Sequence, residues 1–332
     1  MRKRALALLL VMLAPACVMK RVVPDTGSEA PKPPPRPRGE NPLAGKKFWV
    51  DPDSNARRQA GEWRGSRPAD AAALDKIAAQ PQAEWFGDWN SNLKKEVGDR
   101  LARIIKDGGF PLAVVYNIPN RDCGQYSKGG ASGGGAYRAW IRELARGIGA
   151  RPVALILEPD ALGLLDKCLS PADQKERLGL LHDAVRVLRG HPDTVVYLDA
   201  GNAHWIPAPQ MAERLRAAGV EEADGFALNV SNYIGTAETI RYGEAISRLL
   251  GGVHFVVDTS RNGNGPTPDF AWCNPDGRAL GTPPTTNTGS PLVDGFLWIK
   301  RPGESDGTCN GGPQAGAWWP EQALGLAQRA KF

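Results

Sequence analysis

One pattern recurs along this chain and limits what it can fold into. Short apolar runs stop abruptly at polar or charged residues, and helical stretches lie between them. The runs are Lys47–Val50, Glu84–Phe86, Leu112–Tyr116, Val153–Leu157, Thr194–Leu198, Gly225–Asn229, Val253–Val257 and Gly295–Ile299. Near-continuous apolar segments of this length are what parallel strands buried on both faces require. The helical stretches are Asn92–Lys106, Ala136–Gly147, a segment from Ser170-Pro171 to Arg189, Pro209–Ala218, Thr236–Leu250 and Pro320–Ala330. Ser170 suits a helix cap because its hydroxyl can accept from a free first-turn amide, and Pro171 has no N–H to leave unpaired. Strand alternating with helix from residue 47 to 330 predicts an α/β fold, a (β/α) barrel, with a doubly wound open sheet as the rival. The 332 residues are 42% hydrophobic and 23% charged, enough for one large core and too apolar for wholesale disorder.

The residues just past each strand carry the chemistry. Leu112–Tyr116 runs into Asn117-Ile118-Pro119-Asn120-Arg121-Asp122-Cys123, and Val153–Leu157 into Glu158-Pro159-Asp160. Later runs end in Asp199-Ala200-Gly201-Asn202, Asn229-Val230-Ser231-Asn232, Asp258-Thr259-Ser260-Arg261 and Lys300-Arg301-Pro302-Gly303-Glu304-Ser305-Asp306. In a barrel these ends share one face, where active sites are built. A single strand-end aspartate is usually a turn or cap residue; a succession of them points to a site. The four histidines, His182, His191, His204 and His254, make no convincing metal set. No Gly-x-Ser-x-Gly elbow is present. The clusters Gly129-Gly130 and Gly133-Gly134-Gly135 lack the Lys-Ser/Thr ending of a phosphate loop. The net charge of +5 is mild and gathers near the N-terminus, so nucleic acid is not an expected partner. No cofactor is expected, and a monomer is. Carboxylates without metal, beside some of the ten tryptophans, fit glycoside hydrolysis. That reaction needs one protonated carboxyl for the leaving oxygen and one carboxylate to activate water or attack carbon.

The first residues read as an export signal: Arg2-Lys3-Arg4, an apolar run Ala5–Leu13, then Ala14-Pro15-Ala16 as a cleavage site. Residues 1–16 are the expected signal peptide. Cys17 comes directly after it, so lipidation of Cys17, as in bacterial lipoproteins, and an ordinary secretory cut both stay open. Either places the protein outside the cytoplasm, secreted or lipid-anchored at the bacterial envelope. Residues 17–41 form an expected Pro-rich linker, and residues 42–332 the body. Apart from Cys17 the cysteines are Cys123, Cys168, Cys273 and Cys309, with three pairings open and no Cys-x-x-Cys spacing.

Several strand-end segments resemble glycoside hydrolase family 6, which contains cellobiohydrolases and endoglucanases. Val115-Tyr116-Asn117-Ile118-Pro119-Asn120-Arg121-Asp122-Cys123-Gly124 resembles its first signature, and Leu155-Ile156-Leu157-Glu158-Pro159-Asp160-Ala161-Leu162-Gly163 its second. The likeness continues through Tyr197–Trp205, Asn229–Tyr233, Asp258–Gly263 and Trp298–Gly307 and spans almost all of residues 42–332. The resemblance implies a distorted barrel of about seven parallel strands with an open cleft at their C-terminal ends, so either Glu84–Phe86 or Lys47–Val50 is peripheral. It implies an inverting enzyme acting on β-1,4-glucan. Asp160 matches the general acid, Asp122 the carboxylate that modulates it, Asp306 the proposed base and Asp199 a further site carboxylate. Trp85, Trp272 and Trp205 match sugar platforms. Asn202, Asn232, Lys300 and Glu304 match polar sugar contacts, Tyr116 lies near the distorted sugar, and Ser127 matches a water-positioning serine. It also implies disulfides Cys123–Cys168 and Cys273–Cys309.

Endo action is expected from loop length: only Asn310-Gly311-Gly312 separates Cys309 from Pro313, too short to roof a tunnel. The alternatives are a cellobiohydrolase or a mixed-linkage glucanase of the same family and, in another class, a non-catalytic glucan-binding surface lipoprotein. No separate cellulose-binding module is visible, so action on crystalline substrate is expected to be weak.

Overall fold

The computed structural model describes residues 32–33 and 39–332. The expected signal peptide, Cys17 and nearly all of the expected linker lie outside the described residues. Seven parallel strands form one sheet: β1 (Glu84–Gly87), β2 (Leu112–Tyr116), β3 (Val153–Leu157), β4 (Thr194–Asp199), β5 (Gly225–Leu228), β6 (Phe255–Asp258) and β7 (Val293–Leu297). Each pairs with the next in sequence, which excludes the doubly wound order, where the chain reverses direction across the sheet. Alternate residues face opposite ways. On β2, Leu112, Val114 and Tyr116 join Ala154, Ile156, Tyr197, Val256 and Leu297 inside the barrel. Ala113 and Val115 face the helices with Leu155, Leu157, Val196 and Phe226. Among the described residues, no strand pairing closes the barrel. β1 and β7 meet through Ala83 N–H donating to Trp298 O at 3.0 Å, Trp85 Nε1 donating to Ile299 O at 2.9 Å and an Arg301–Glu84 ion pair of 2.8 Å.

Lys47–Val50 is the peripheral run. It makes one parallel bridge, Phe48 to Phe110, and packs Phe48, with Leu43 just before it, into the barrel interior. The last strand lies two residues earlier than expected, because Trp298 leaves the sheet to pack among helices.

The expected helices are present as α3 (Leu93–Lys106), α4 (Gly134–Ile148), α5 (Pro171–Arg189), α6 (Ala208–Ala217), α7 (Thr236–Leu249) and α8 (Pro320–Gln328). Ser170 caps α5, its Oγ accepting from Asp173 N. Two further helices, α1 (Asn55–Trp63) and α2 (Pro68–Ala78), have no counterpart among the expected elements. They bury Ala56, Ala60, Ala71 and Leu74 with Trp298 and Leu326 in a separate cluster against α8.

Candidate active site

A cleft opens at the C-terminal strand ends. Trp85, Tyr116, Asp122, Ser127, Asp160, Trp205, Asn232, Trp272, Lys300 and Asp306 line it, as do Gln125, Leu164 and Ser231. Ten of the thirteen expected catalytic and binding residues therefore converge. Asp199 stands directly behind Asp160. Asn202 and Glu304 do not line the cleft. Asn202 is 2% exposed and spends Oδ1 on His204 N at 2.9 Å, which is a cap for its own turn. Glu304 is drawn to Arg301 at 3.4 Å.

Asp160 leaves β3 with φ 71°, and Glu158 just before it has φ 50°. Left-handed backbone at non-glycine residues is costly and gathers at functional sites. Asn120, Asp122, Asn229 and Ser231 share it in the neighbouring loops. Hydrogen bonds hold the strain in place. Glu158 accepts from Asn117 N at 2.9 Å and Ile118 N at 2.9 Å, pinning the β2 loop to the β3 loop. Arg177 of α5 donates to Pro119 O at 2.7 Å and Ala161 O at 3.3 Å, tying the same loops from behind. A Cys123–Cys168 disulfide adds a covalent tie.

The Asp160 carboxyl accepts from Tyr116 Oη at 3.1 Å, and its own N–H donates to Asp199 Oδ2 at 2.9 Å. Burial, then the Asp122 charge, raise its pKa from 3.8 to about 7, against the Tyr116 hydrogen bond. Burial and the Asp160 charge push Asp199 well above the ordinary carboxylate range. Burial also raises Asp122, although Ser127 N donates to it at 2.7 Å. Around the end of β3, Asp160 and Asp199 therefore favour their protonated forms.

The β7 side does the reverse. Burial acts upward on Asp306 too, but Arg261 and Lys300 outweigh it and hold the carboxyl below its usual range. Arg261 Nη1 lies 2.9 Å from Oδ2 and Lys300 Nζ 3.5 Å from Oδ1. Tyr233 Oη at 3.2 Å and Asn274 N at 3.1 Å also donate to Oδ2. The Cys273–Cys309 disulfide fixes the loop that supplies Asn274 and Trp272. Asp258, at the end of β6, accepts from Lys300 N at 2.9 Å and Ser231 N at 3.2 Å, so one carboxylate aligns three strand ends. Arg261, Tyr233, Asn274, Glu158 and Arg177 were not expected as site residues from the sequence. Arg261 had the clearest signal, standing three places after the strand-end Asp258.

The walls are aromatic. Trp85 meets Tyr116 edge-on with centroids 5.5 Å apart. Trp205 packs against Gly163, where a Cβ would come within 2.3 Å of the ring, so only glycine lets it approach. Trp272 leans against Tyr126 at 5.9 Å. Such faces suit the C–H face of a pyranose ring.

Comparison with known proteins agrees with this geometry. The family model "Glycosyl hydrolases family 6" matches residues 43–330. Endoglucanase A of Cellulomonas fimi is 47% identical over 290 residues, 86% of this chain and 62% of the relative. Endoglucanase 1 of Streptomyces halstedii is 46% identical over 288 residues, 83% of this chain and 87% of the relative. The chain thus spans less than two thirds of the Cellulomonas protein. The structure of the Mycobacterium tuberculosis endoglucanase Cel6 in complex with methyl-cellobiosyl-4-deoxy-4-thio-β-D-cellobioside superposes with a TM-score of 0.83 at 47% identity, covering 87% of this chain and 99% of that one. Endoglucanase Cel6B from Humicola insolens superposes with a TM-score of 0.75 at 26% identity, covering 88% and 99%. With its strand order, its carboxylate pair and this match over nearly the whole body, the chain belongs to glycosyl hydrolase family 6.

Proposed function

We propose that this protein is an inverting endo-β-1,4-glucanase. One observation carries the reading: a proton-holding Asp160 faces an ionised Asp306 across a cleft walled by Trp85, Trp205 and Trp272. Asp160 donates its proton to the glycosidic oxygen as the bond to the anomeric carbon breaks. Water adds to that carbon from the opposite face, and its proton passes to Asp306. A carboxylate held at low pKa is a weak base. It accepts that proton late, once bonding to carbon has made the water acidic. Before then its fixed charge stabilises the positive charge growing on the sugar ring. Asp122 keeps the proton on Asp160, and Ser127 sits where it can orient water.

Internal cleavage is supported by the short segments after Cys123 and Cys309 and by relatives that are themselves called endoglucanases. The loops after β2 and β7 touch where Tyr126 rests on Gly307. A time course on carboxymethyl cellulose, mixed-linkage glucan and crystalline cellulose tests the reading. Rapid viscosity loss before much reducing sugar appears is expected on the soluble polymers. Cellobiose release at nearly constant viscosity would sink endo action.

The N-terminal segment supports a second proposal, export with Cys17 as the first mature residue. Mass spectrometry of the mature N-terminus reads it directly: cleavage after Ala16, with or without lipid mass, is expected, and an intact Met1 would refute it.

A further inference from the structure

Trp89 is 52% exposed, while every other described tryptophan is buried or half-buried. We propose that Trp89 is a further glucan-binding platform, taking a β-linked glucosyl unit beyond Trp85 at the rim of the cleft; this rests on the activity proposed above.

A lone exposed aromatic carries little weight. The position of this one is set by the fold. On β1, Trp85 packs with the barrel interior and Phe86 with the outer shell. Strand alternation turns residue 87 inward again, to the wall that Trp85 occupies. Residue 87 is glycine, and the Trp89 ring fills the space its side chain would take: a Cβ there would lie 2.3 Å from Cζ3. The ring therefore sits on the Trp85 wall, two residues or about 6.6 Å further toward the C-terminal rim.

The ring is also held rigidly. The turn from Gly87 to Asn90 is closed by Asn90 N donating to Gly87 O at 3.1 Å and Gly87 N to Asn90 Oδ1 at 2.9 Å. Glu96 anchors the Asn90 side chain at 2.6 Å. Asp88 pairs with Arg121 at 3.0 Å and accepts from Gly130 N at 2.9 Å. The Arg121 guanidinium lies 5.4 Å from the Trp89 ring and 4.6 Å from that of Tyr116, a cleft-lining residue. Trp89 is thus backed on its inner side and open on its outer side. A flat apolar face fixed before binding costs little ordering entropy when a sugar stacks on it. Continuity with Trp85 selects the chain already lying in the cleft as its occupant.

The test compares wild type, Trp89→Ala and Trp89→Tyr on cellotetraose, cellohexaose and carboxymethyl cellulose. Trp89→Ala should lower kcat/KM on the two longer substrates about three- to tenfold, through KM, and leave cellotetraose unchanged. Trp89→Tyr should restore most of the loss. Retardation in glucan-containing native gels, in an Asp160→Asn background, should weaken on adding Trp89→Ala. Equal loss on short and long substrates, or none, would overturn the proposal. So would a defect confined to adsorption on insoluble cellulose, which would make Trp89 a surface contact outside the cleft. An enzyme inert on all three substrates would sink the proposed activity, and the gel assay, which needs no turnover, would still decide Trp89.

Discussion

Asp306 is buried and Asp160 half-buried, and their neighbours drive their protons in opposite directions. Beside Asp160 stands another carboxylate, Asp122; beside Asp306 stand Arg261 and Lys300. The acid works only while protonated, so kcat/KM should fall as pH rises through about 7. Asp122→Asn removes a charge that raises the Asp160 pKa, so this alkaline limb should move to lower pH; an unmoved limb would contradict the pairing. Arg261→Met removes a charge that lowers Asp306, so the acid limb should move to higher pH. The same change strands a buried charge and should cost about 3–5 kcal/mol in a denaturant melt. Stability also responds to Asp160. Below 3.8 folded and unfolded chains both carry its proton, whereas above about 7 both have lost it and the folded chain bears the full cost of the buried charge. The Tm gain of Asp160→Asn should therefore grow between pH 4 and pH 8, and a constant gain would refute the raised pKa. At this scale the carboxylates were legible because each stands at a strand end. Arg261, Tyr233 and Asn274 were not, because their roles depend on which loops fold onto Asp306.

Elements were legible where one stretch of chain carries its own signal. The strands are apolar runs, and α5 announces itself by Ser170-Pro171. Helices α1 and α2 were missed because their buried face is largely alanine and its partner, α8, lies some 250 residues away in sequence. Asn202 and Glu304 show a related limit of sequence reading. A polar residue beside a site can serve the sugar or its own backbone, and only the folded turn decides. The loops that carry the chemistry are fixed from outside the strands. Replacing Cys273 and Cys309 together with serine should cost about 3 kcal/mol of stability and lower kcat, because Asn274 and Trp272 share the stapled loop. A thermal melt with initial rates on carboxymethyl cellulose checks both effects, and full activity in the reduced loop would contradict its role.

As a whole molecule, the protein is a barrel left open between β1 and β7, with its cleft crossing the strand ends and tryptophans along the walls. The parallel strands were readable as a class from the start. The barrel itself needed the sequential order of pairing, a long-range property that apolar runs alone do not fix. The central claim is that Asp160 and Asp306 cleave β-1,4-glucan by single displacement, with water entering opposite the leaving group. Proton NMR of cellohexaose during its first minutes with the enzyme tests this most directly. The α-anomer should appear first and then mutarotate, and Asp160→Asn should give no product. A β-anomer formed first, or product released by Asp160→Asn at the wild-type rate, would contradict it.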